Sequence, residues 1–349
     1  MDQDLRHMLA TRSFTASAPC RIDLGGTLDI SSIYYPLLYL GPATFNVAID
    51  MRTRVFLHAH IPGMVKISSR GFESAEFPIE QAPFDHPMGL MFAIAAYFRV
   101  DGIHIHIESS SPPKSALGGS SAAAVSLIAA YSRLLQKSGQ QPVAFERIPV
   151  LAHAIEESIA GVPCGLQDHL AAVCGGVNAW YWKGRADPDL YVRQALIESR
   201  DADFFNERMV VAYCGVPHES KDVNGIWIRR FIDGTHRRPW IDIANATRAF
   251  IAALSDGDLP SAVSAMNRET DIRRKLTPQV LDEIGEQFVA AARRQNCGAR
   301  FTGAGGGGCV WAFGDVDAIP AVKTAWQKIA DAHDQAAVLD VGVDMKGLE

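Results

Sequence analysis

The stretch from Ile103 to Leu135 constrains the fold more than any other part of the chain, because a strand, a glycine loop and a helix follow one another without interruption. Ile103, Ile105 and Ile107 alternate with His104, His106 and Glu108, the period of a strand with one buried face. Then comes Pro112-Pro113-Lys114-Ser115-Ala116-Leu117-Gly118-Gly119-Ser120-Ser121-Ala122-Ala123, leading into an alanine-rich helix expected over 120–136. A loop so placed aims several backbone N–H groups at one point, and the helix start adds about half a positive charge there. The natural guest is a phosphate chain. Gly-Lys-Ser/Thr is missing, so the loop is not a Walker A motif, and it is not the dinucleotide fingerprint G-x-G-x-x-G either.

A second glycine string, Thr302-Gly303-Ala304-Gly305-Gly306-Gly307-Gly308-Cys309, lies far downstream between two expected strands. Four successive glycines after Thr-Gly-Ala are too long for a tight turn and allow close backbone approach to a ligand or another loop. A third segment, Ala18-Pro19-Cys20-Arg21-Ile22-Asp23-Leu24-Gly25-Gly26-Thr27-Leu28-Asp29, sets an arginine in a strand before a glycine turn and a carboxylate. Together these segments resemble the three motifs of the GHMP kinases, named for galactokinase, homoserine kinase, mevalonate kinase and phosphomevalonate kinase. The third motif is matched letter for letter, and the resemblance runs from about residue 14 to 345.

The resemblance implies an α+β, two-domain GHMP kinase fold. An N-terminal tail (1–12) precedes an ATP-binding domain like the second domain of ribosomal protein S5 (13–205) and a ferredoxin-like domain (206–349), with the active site in the cleft between them. It implies ATP as donor and Mg²⁺ as metal. Lys114, Ser115, Ala116, Leu117, Gly118, Gly119, Ser120 and Ser121 form the phosphate cradle by this likeness, and Ser120 and Glu156 hold the metal, Glu157 being the adjacent alternative. Lys114 stands where the family has Gly, and either puts charge near the triphosphate or points to solvent. Asp168, after Gly161 and Gly165, takes the place of the family's catalytic Asp, as base or as orienting group, with Arg21 as companion cation. Gly25, Gly26, Thr27 and Asp29, with Gly303, Ala304, Gly305 and Gly306, are expected at the phosphoryl acceptor.

The turn Gly-Gly-Thr-Leu-Asp departs from the common Gly-Glu-His-Thr-Asp, and it most resembles the branch of D-glycero-D-manno-heptose 7-phosphate kinase and fucokinase-like enzymes. The resemblance therefore implies transfer to the anomeric hydroxyl of a heptose 7-phosphate, making a 1,7-bisphosphate for surface polysaccharide precursors. A kinase for neutral fucose, galactose or mannose is the alternative, and a non-catalytic ATP and sugar sensor is another. An anionic acceptor needs cations, for which Arg229-Arg230 and Arg273-Arg274-Lys275 are the candidates.

Composition agrees with a small-molecule enzyme. With 349 residues, 48% of them hydrophobic, the chain can fill two domain cores. A net charge of −6 with scattered basic pairs argues against a nucleic-acid partner. Six cysteines without a CxxC pair read as free thiols. No apolar run suits a signal peptide or a membrane span, so the expected compartment is the cytoplasm. His104 and His106 share a strand face without a zinc-spaced partner and read as exposed strand residues. Trp180, Tyr181 and Trp182 read as a buried strand more readily than as an adenine flank.

Overall fold

The computed structural model describes residues 8–161, 163–184, 189–198, 201–216 and 223–349. The first part of the expected tail and Val162 lie outside these residues, as does the start of a further helix that the sequence pattern suggests over 218–233.

Two sheets organise the chain. The first is built on β2 (Ala43–Ala59), along which β1 (Phe14–Leu24) runs antiparallel. The opposite edge of β2 pairs with β6 (Val177–Trp182) at one end and β5 (Ile103–Ser109) at the other. Beyond β5 lie β3 (Met64–Ser69), parallel to it, and β4 (Ala75–Pro78); beyond β6 lies β7 (Tyr191–Ala195). The sequence suggests two strands, 44–50 and 53–60, where the structure has one. Met51 and Arg52 carry no turn chemistry: Arg52 stays in the ladder opposite Pro19, and the register shift between Pro19 and Cys20 passes over Asp50 and Met51.

The helices of this half are α1 (Ser31–Leu37), α2 (Gly89–Phe98), α3 (Gly119–Lys137), α4 (Ile148–Ala160) and α5 (Gln167–Cys174). α3 lies on β1 and β2, with Ala122, Ala124, Val125, Leu127 and Ile128 fully buried. Its small residues allow that close approach, and each large one contributes about 1.5–3 kcal/mol by leaving water. Helix α1 was not expected, because Pro36 interrupts its pattern.

After the short α6 (Ala202–Asn206), the second sheet takes the order β11-β8-β10-β9, antiparallel throughout. Its strands are β8 (Met209–Tyr213), β9 (Gly298–Phe301), β10 (Cys309–Phe313) and β11 (Ala337–Leu339). That is the strand order of a ferredoxin-like unit. Helices α7 (Val223–Ile232), α8 (Arg237–Ser255), α9 (Leu259–Leu276), α10 (Glu283–Arg294) and α11 (Ile319–Asp331) complete this half.

The halves share cores: Ile22, Phe45 and Val47 pack with Met209, Phe250 and Trp311, and Leu28, Ile30 and Ile33 pack with Trp227 and Trp240. The expected second domain runs to residue 349, yet its last residues return to the first sheet. Asp344 N donates to Ala48 O and Glu349 N to Ser17 O, each at 2.9 Å, and Arg52 pairs with Asp344.

Trp180 and Trp182 are buried and donate to Asn46 and Thr44, as a core strand requires. His104 Nε2 and His106 Nδ1 lie 2.8 and 2.9 Å from Ser68 Oγ. Among the described residues no helix is long and apolar enough to cross a membrane.

Candidate active site

A cavity of about 540 Å³ opens between the two halves, and all three glycine segments reach it. Gly118 caps α3 in the left-handed conformation, φ 76°. A Cβ there would stand 3.4 Å from both Arg21 Cγ and Asp168 Oδ2. The helix leaves its first N–H groups without intrahelical partners, turned towards the loop. Lys114 and Ala116 are also left-handed, at φ 55° and 58°, a strain of roughly 1 kcal/mol or more for each side chain. Ala116 is held there by its carbonyl, which accepts from Arg21 Nη1 at 2.6 Å, while Arg21 N donates to Leu117 O. Lys114 is exposed and also lines the cavity.

Arg21 grips Asp168 with two parallel bonds of 2.7 Å, from Nε to Oδ1 and from Nη2 to Oδ2. Such forks are among the stronger and more directional contacts a carboxylate makes. Burial works against the charge on Arg21, but Asp168 and Asp23 outweigh it, and the guanidinium is held more firmly protonated than usual. Asp168 stands in the first turn of α5 with 23% of its side chain accessible, and it lines the cavity. Beside it, Asp29 is buried and accepts from Gln167 N at 3.0 Å. Burial pushes the Asp29 carboxyl up to about 6, against the pull of that bond. Gly165 makes the packing possible, since a Cβ there would stand 1.8 Å from Asp29 Oδ2.

Glu156, near the end of α4, accepts from Ser121 Oγ at 3.3 Å, and its Oε2 lies 2.8 Å from His169 Nε2. Burial opposes its charge; His169 and Ser121 outweigh that, and its carboxyl sits below the usual range. Ser121 is therefore the serine bonded to Glu156, whereas Ser120 is exposed in the cavity lining.

The tetraglycine loop packs its backbone on the phosphate loop. A Cβ on Gly308 would come within 2.6 Å of Ser115 O, and Gly303 N donates to Asp23 Oδ1 at 2.7 Å. Gly303 and Ala304 line the cavity with Gly26, Thr27 and Asp29. Gly305 and Gly306 do not: Gly306 N donates to Val280 O, and a Cβ on Gly305 would reach the same carbonyl at 2.4 Å. Gly25 also stands outside the lining, against Thr247.

Residues 87–176, which carry the loop, α3, Glu156 and Asp168, match the GHMP kinases N terminal domain. The chain thus carries a GHMP kinase N-terminal domain. Its class is that of phosphotransferases with an alcohol acceptor, and the family's phosphate donor is ATP. The chain is 26% identical over 325 residues to a mevalonate kinase of Thermococcus onnurineus, covering 85% of this chain and 88% of that one. It is 30% identical over 119 residues to the D-glycero-alpha-D-manno-heptose 7-phosphate kinase of Campylobacter jejuni, 34% of this chain and 33% of that one. In structure it resembles Lactococcus lactis galactokinase complexed with galactose, with TM-score 0.73, 19% identity and coverage of 97% and 95%.

The arginines expected to hold an anionic acceptor lie elsewhere in this chain. Arg229 and Arg230 are exposed at the end of α7, outside the cavity lining. Arg274 turns to Glu286 and Asp271. Arg273 is fully buried between Trp227 and Trp240, 4.9 and 5.0 Å from their ring centroids. It shares Glu269 with Arg300, through Nε bonds of 2.5 and 3.0 Å. Arg300 continues to Asp23 Oδ2 at 3.2 Å, and Arg273 Nη2 donates to Gly26 O at 2.5 Å. This buried chain of charges braces Gly26 and, through Asp23, Gly303. Sequence reasoning missed it because its members are spread over β1, α9 and β9, and each alone reads as a surface charge. Ser121, His169 and Asn224 were likewise without a sequence signal for the contacts they make.

Proposed function

We propose that this kinase transfers the γ-phosphoryl group of ATP to a hydroxyl of a neutral sugar. The observation that carries the reading is the acceptor end of the cavity, where Thr27, Asp29, Gln167, Asp168 and Asn224 offer polar groups to hydroxyls. Among the described residues lining that end, the cation is Arg21, already committed to Asp168 and Ala116 O. Among the described residues, a phosphate or carboxylate on the acceptor would find no uncommitted counter-ion there. At the other end, Phe72, Met88, Met91, Ile107 and Pro113 make an apolar wall for a nucleobase, and Arg70 and Lys114 stand beside the loop.

In this reading the loop N–H groups hold the triphosphate, and Asp168 accepts the hydrogen bond of the attacking hydroxyl. Arg21 fixes that carboxylate and offsets its charge. Both Asp168 oxygens already accept from Arg21, which favours orienting the hydroxyl over freely removing its proton. A magnesium ion fits the oxygen donors present: Glu156, held ionised, with Ser120 and Ser121 at the head of α3. Bound there with the nucleotide, Mg²⁺ would neutralise charge on the β- and γ-phosphates. Glu156→Gln and Ser121→Ala are expected to raise the Mg²⁺ concentration for half-maximal rate several-fold, and Glu157→Gln to leave it unchanged. A magnesium titration of the ATPase rate checks this; a larger defect in Glu157→Gln would move the metal site to the neighbouring carboxylate.

A heptose 7-phosphate is the second reading, favoured by the Campylobacter jejuni match and the Gly-Gly-Thr-Leu-Asp turn. ADP release over galactose, mannose, D-glycero-D-manno-heptose 7-phosphate and mevalonate decides between them. The expected result is the highest kcat/KM on a neutral hexose. A higher value on the phosphorylated heptose replaces this reading with the second, and turnover of mevalonate alone removes both.

A further inference from the structure

We propose that Asn224 is a specificity-determining residue, whose side-chain amide donates to one hydroxyl of the acceptor; the inference rests on the sugar-kinase reading above. Asn224 stands in the first turn of α7, in the second half of the chain, yet it lines the same cavity as Thr27, Asp29 and Asp168. Thr27 donates its hydroxyl hydrogen to Asn224 Oδ1 at 2.9 Å, across 197 residues of sequence. That contact orients the amide. An asparagine has one oxygen and one NH₂ group, so with the oxygen turned to Thr27 the two N–H donors face elsewhere.

Thr27 itself is buried and left-handed, at φ 73°. A β-branched residue keeps that conformation only where its surroundings enforce it, and the bond to Asn224 is one such restraint. The strained position thus sets both the acceptor turn and the direction of the amide.

The chemistry of the acceptor end gives the amide its use. Asp29 and Asp168 are carboxylates, which recognise the hydrogen of a hydroxyl and not its oxygen. Asn224 brings N–H donors from the opposite side of the cleft. A sugar hydroxyl meeting a carboxylate and an amide together gives its hydrogen to one and accepts from the other. A site built this way rejects an analogue lacking the hydroxyl, because its own polar groups are then left unpaired.

The test compares wild type, Asn224→Ala and Thr27→Val by ADP release on galactose, mannose and their singly deoxygenated analogues. Asn224→Ala is expected to raise the KM for the sugar about 10- to 100-fold and to leave the KM for ATP unchanged. The one deoxy analogue that lacks the hydroxyl read by Asn224 should be penalised in wild type and carry no further penalty in Asn224→Ala. Thr27→Val, which leaves the amide unheld, should give a smaller rise of the same kind. A sugar KM within about threefold of wild type, at unchanged melting temperature, overturns this inference alone. Deoxy penalties that are equal in wild type and Asn224→Ala do the same. A wild type that releases no ADP with any sugar overturns the sugar-kinase reading and the inference with it.

Discussion

Replacing Asp168 with Asn is expected to lower kcat by about two to four orders of magnitude while ATP binds as before. The substitution keeps the size of the side chain and removes its charge. It also puts an NH₂ group where one of two oxygens now accepts from Arg21, so one arm of the fork becomes a donor facing a donor. The guanidinium, buried and firmly protonated, is then left with a neutral partner beside the attacking hydroxyl. In the proposed reading the nucleotide is held along the loop and the head of α3, which begins at Gly119 after the left-handed Gly118, and those contacts do not use that charge. Steady-state kinetics with ATP and sugar varied separately checks this. A kcat within a few-fold of wild type would take Asp168 out of the mechanism.

Glu269→Gln is expected to cost about 3–5 kcal/mol of folding stability, the scale for breaking a fully buried ion pair. Glu269, Arg273, Arg300 and Asp23 are all inaccessible to solvent. Burial opposes the charge on Glu269, yet Arg273 and Arg300 hold its carboxyl below the usual range, which marks it as the charge both arginines depend on. Glutamine fills the same space and leaves Arg273 bonded to a neutral amide and Arg300 with Asp23 alone, far from water. Because Arg273 holds Gly26 O and Arg300 holds Asp23, the loss should also loosen the acceptor turn and raise the KM for the sugar. Urea unfolding gives the first quantity and acceptor kinetics the second. A loss under about 1 kcal/mol would show that the arginines find other partners, and the charge chain would lose its bracing role.

Much of this kinase was legible in its sequence, for reasons that are local. Period-two and period-3.6 patterns mark β5 and α3, because a strand or helix with one buried face must repeat its apolar residues at that spacing. Glycines mark the loops because some positions admit no side chain: Gly165 lies over Asp29, and Gly308 lies over Ser115. Those restrictions are written into single residues; Arg21, Gly118 and Asp168 could be named before any fold was known because their motifs resemble those of the GHMP kinases, and the structure brings them together. Pairings between side chains had no such mark. Ser121 and not Ser120 meets Glu156, Asn224 meets Thr27, and Arg273 turns inward to Glu269 instead of outward to a phosphate. Adjacent serines or arginines are alike as letters, and what separates them is the direction each side chain takes once its helix has been rotated and packed. That rotation is set by burial over the whole helix, Trp227 and Trp240 around Arg273 among it, and only the tertiary structure decides it.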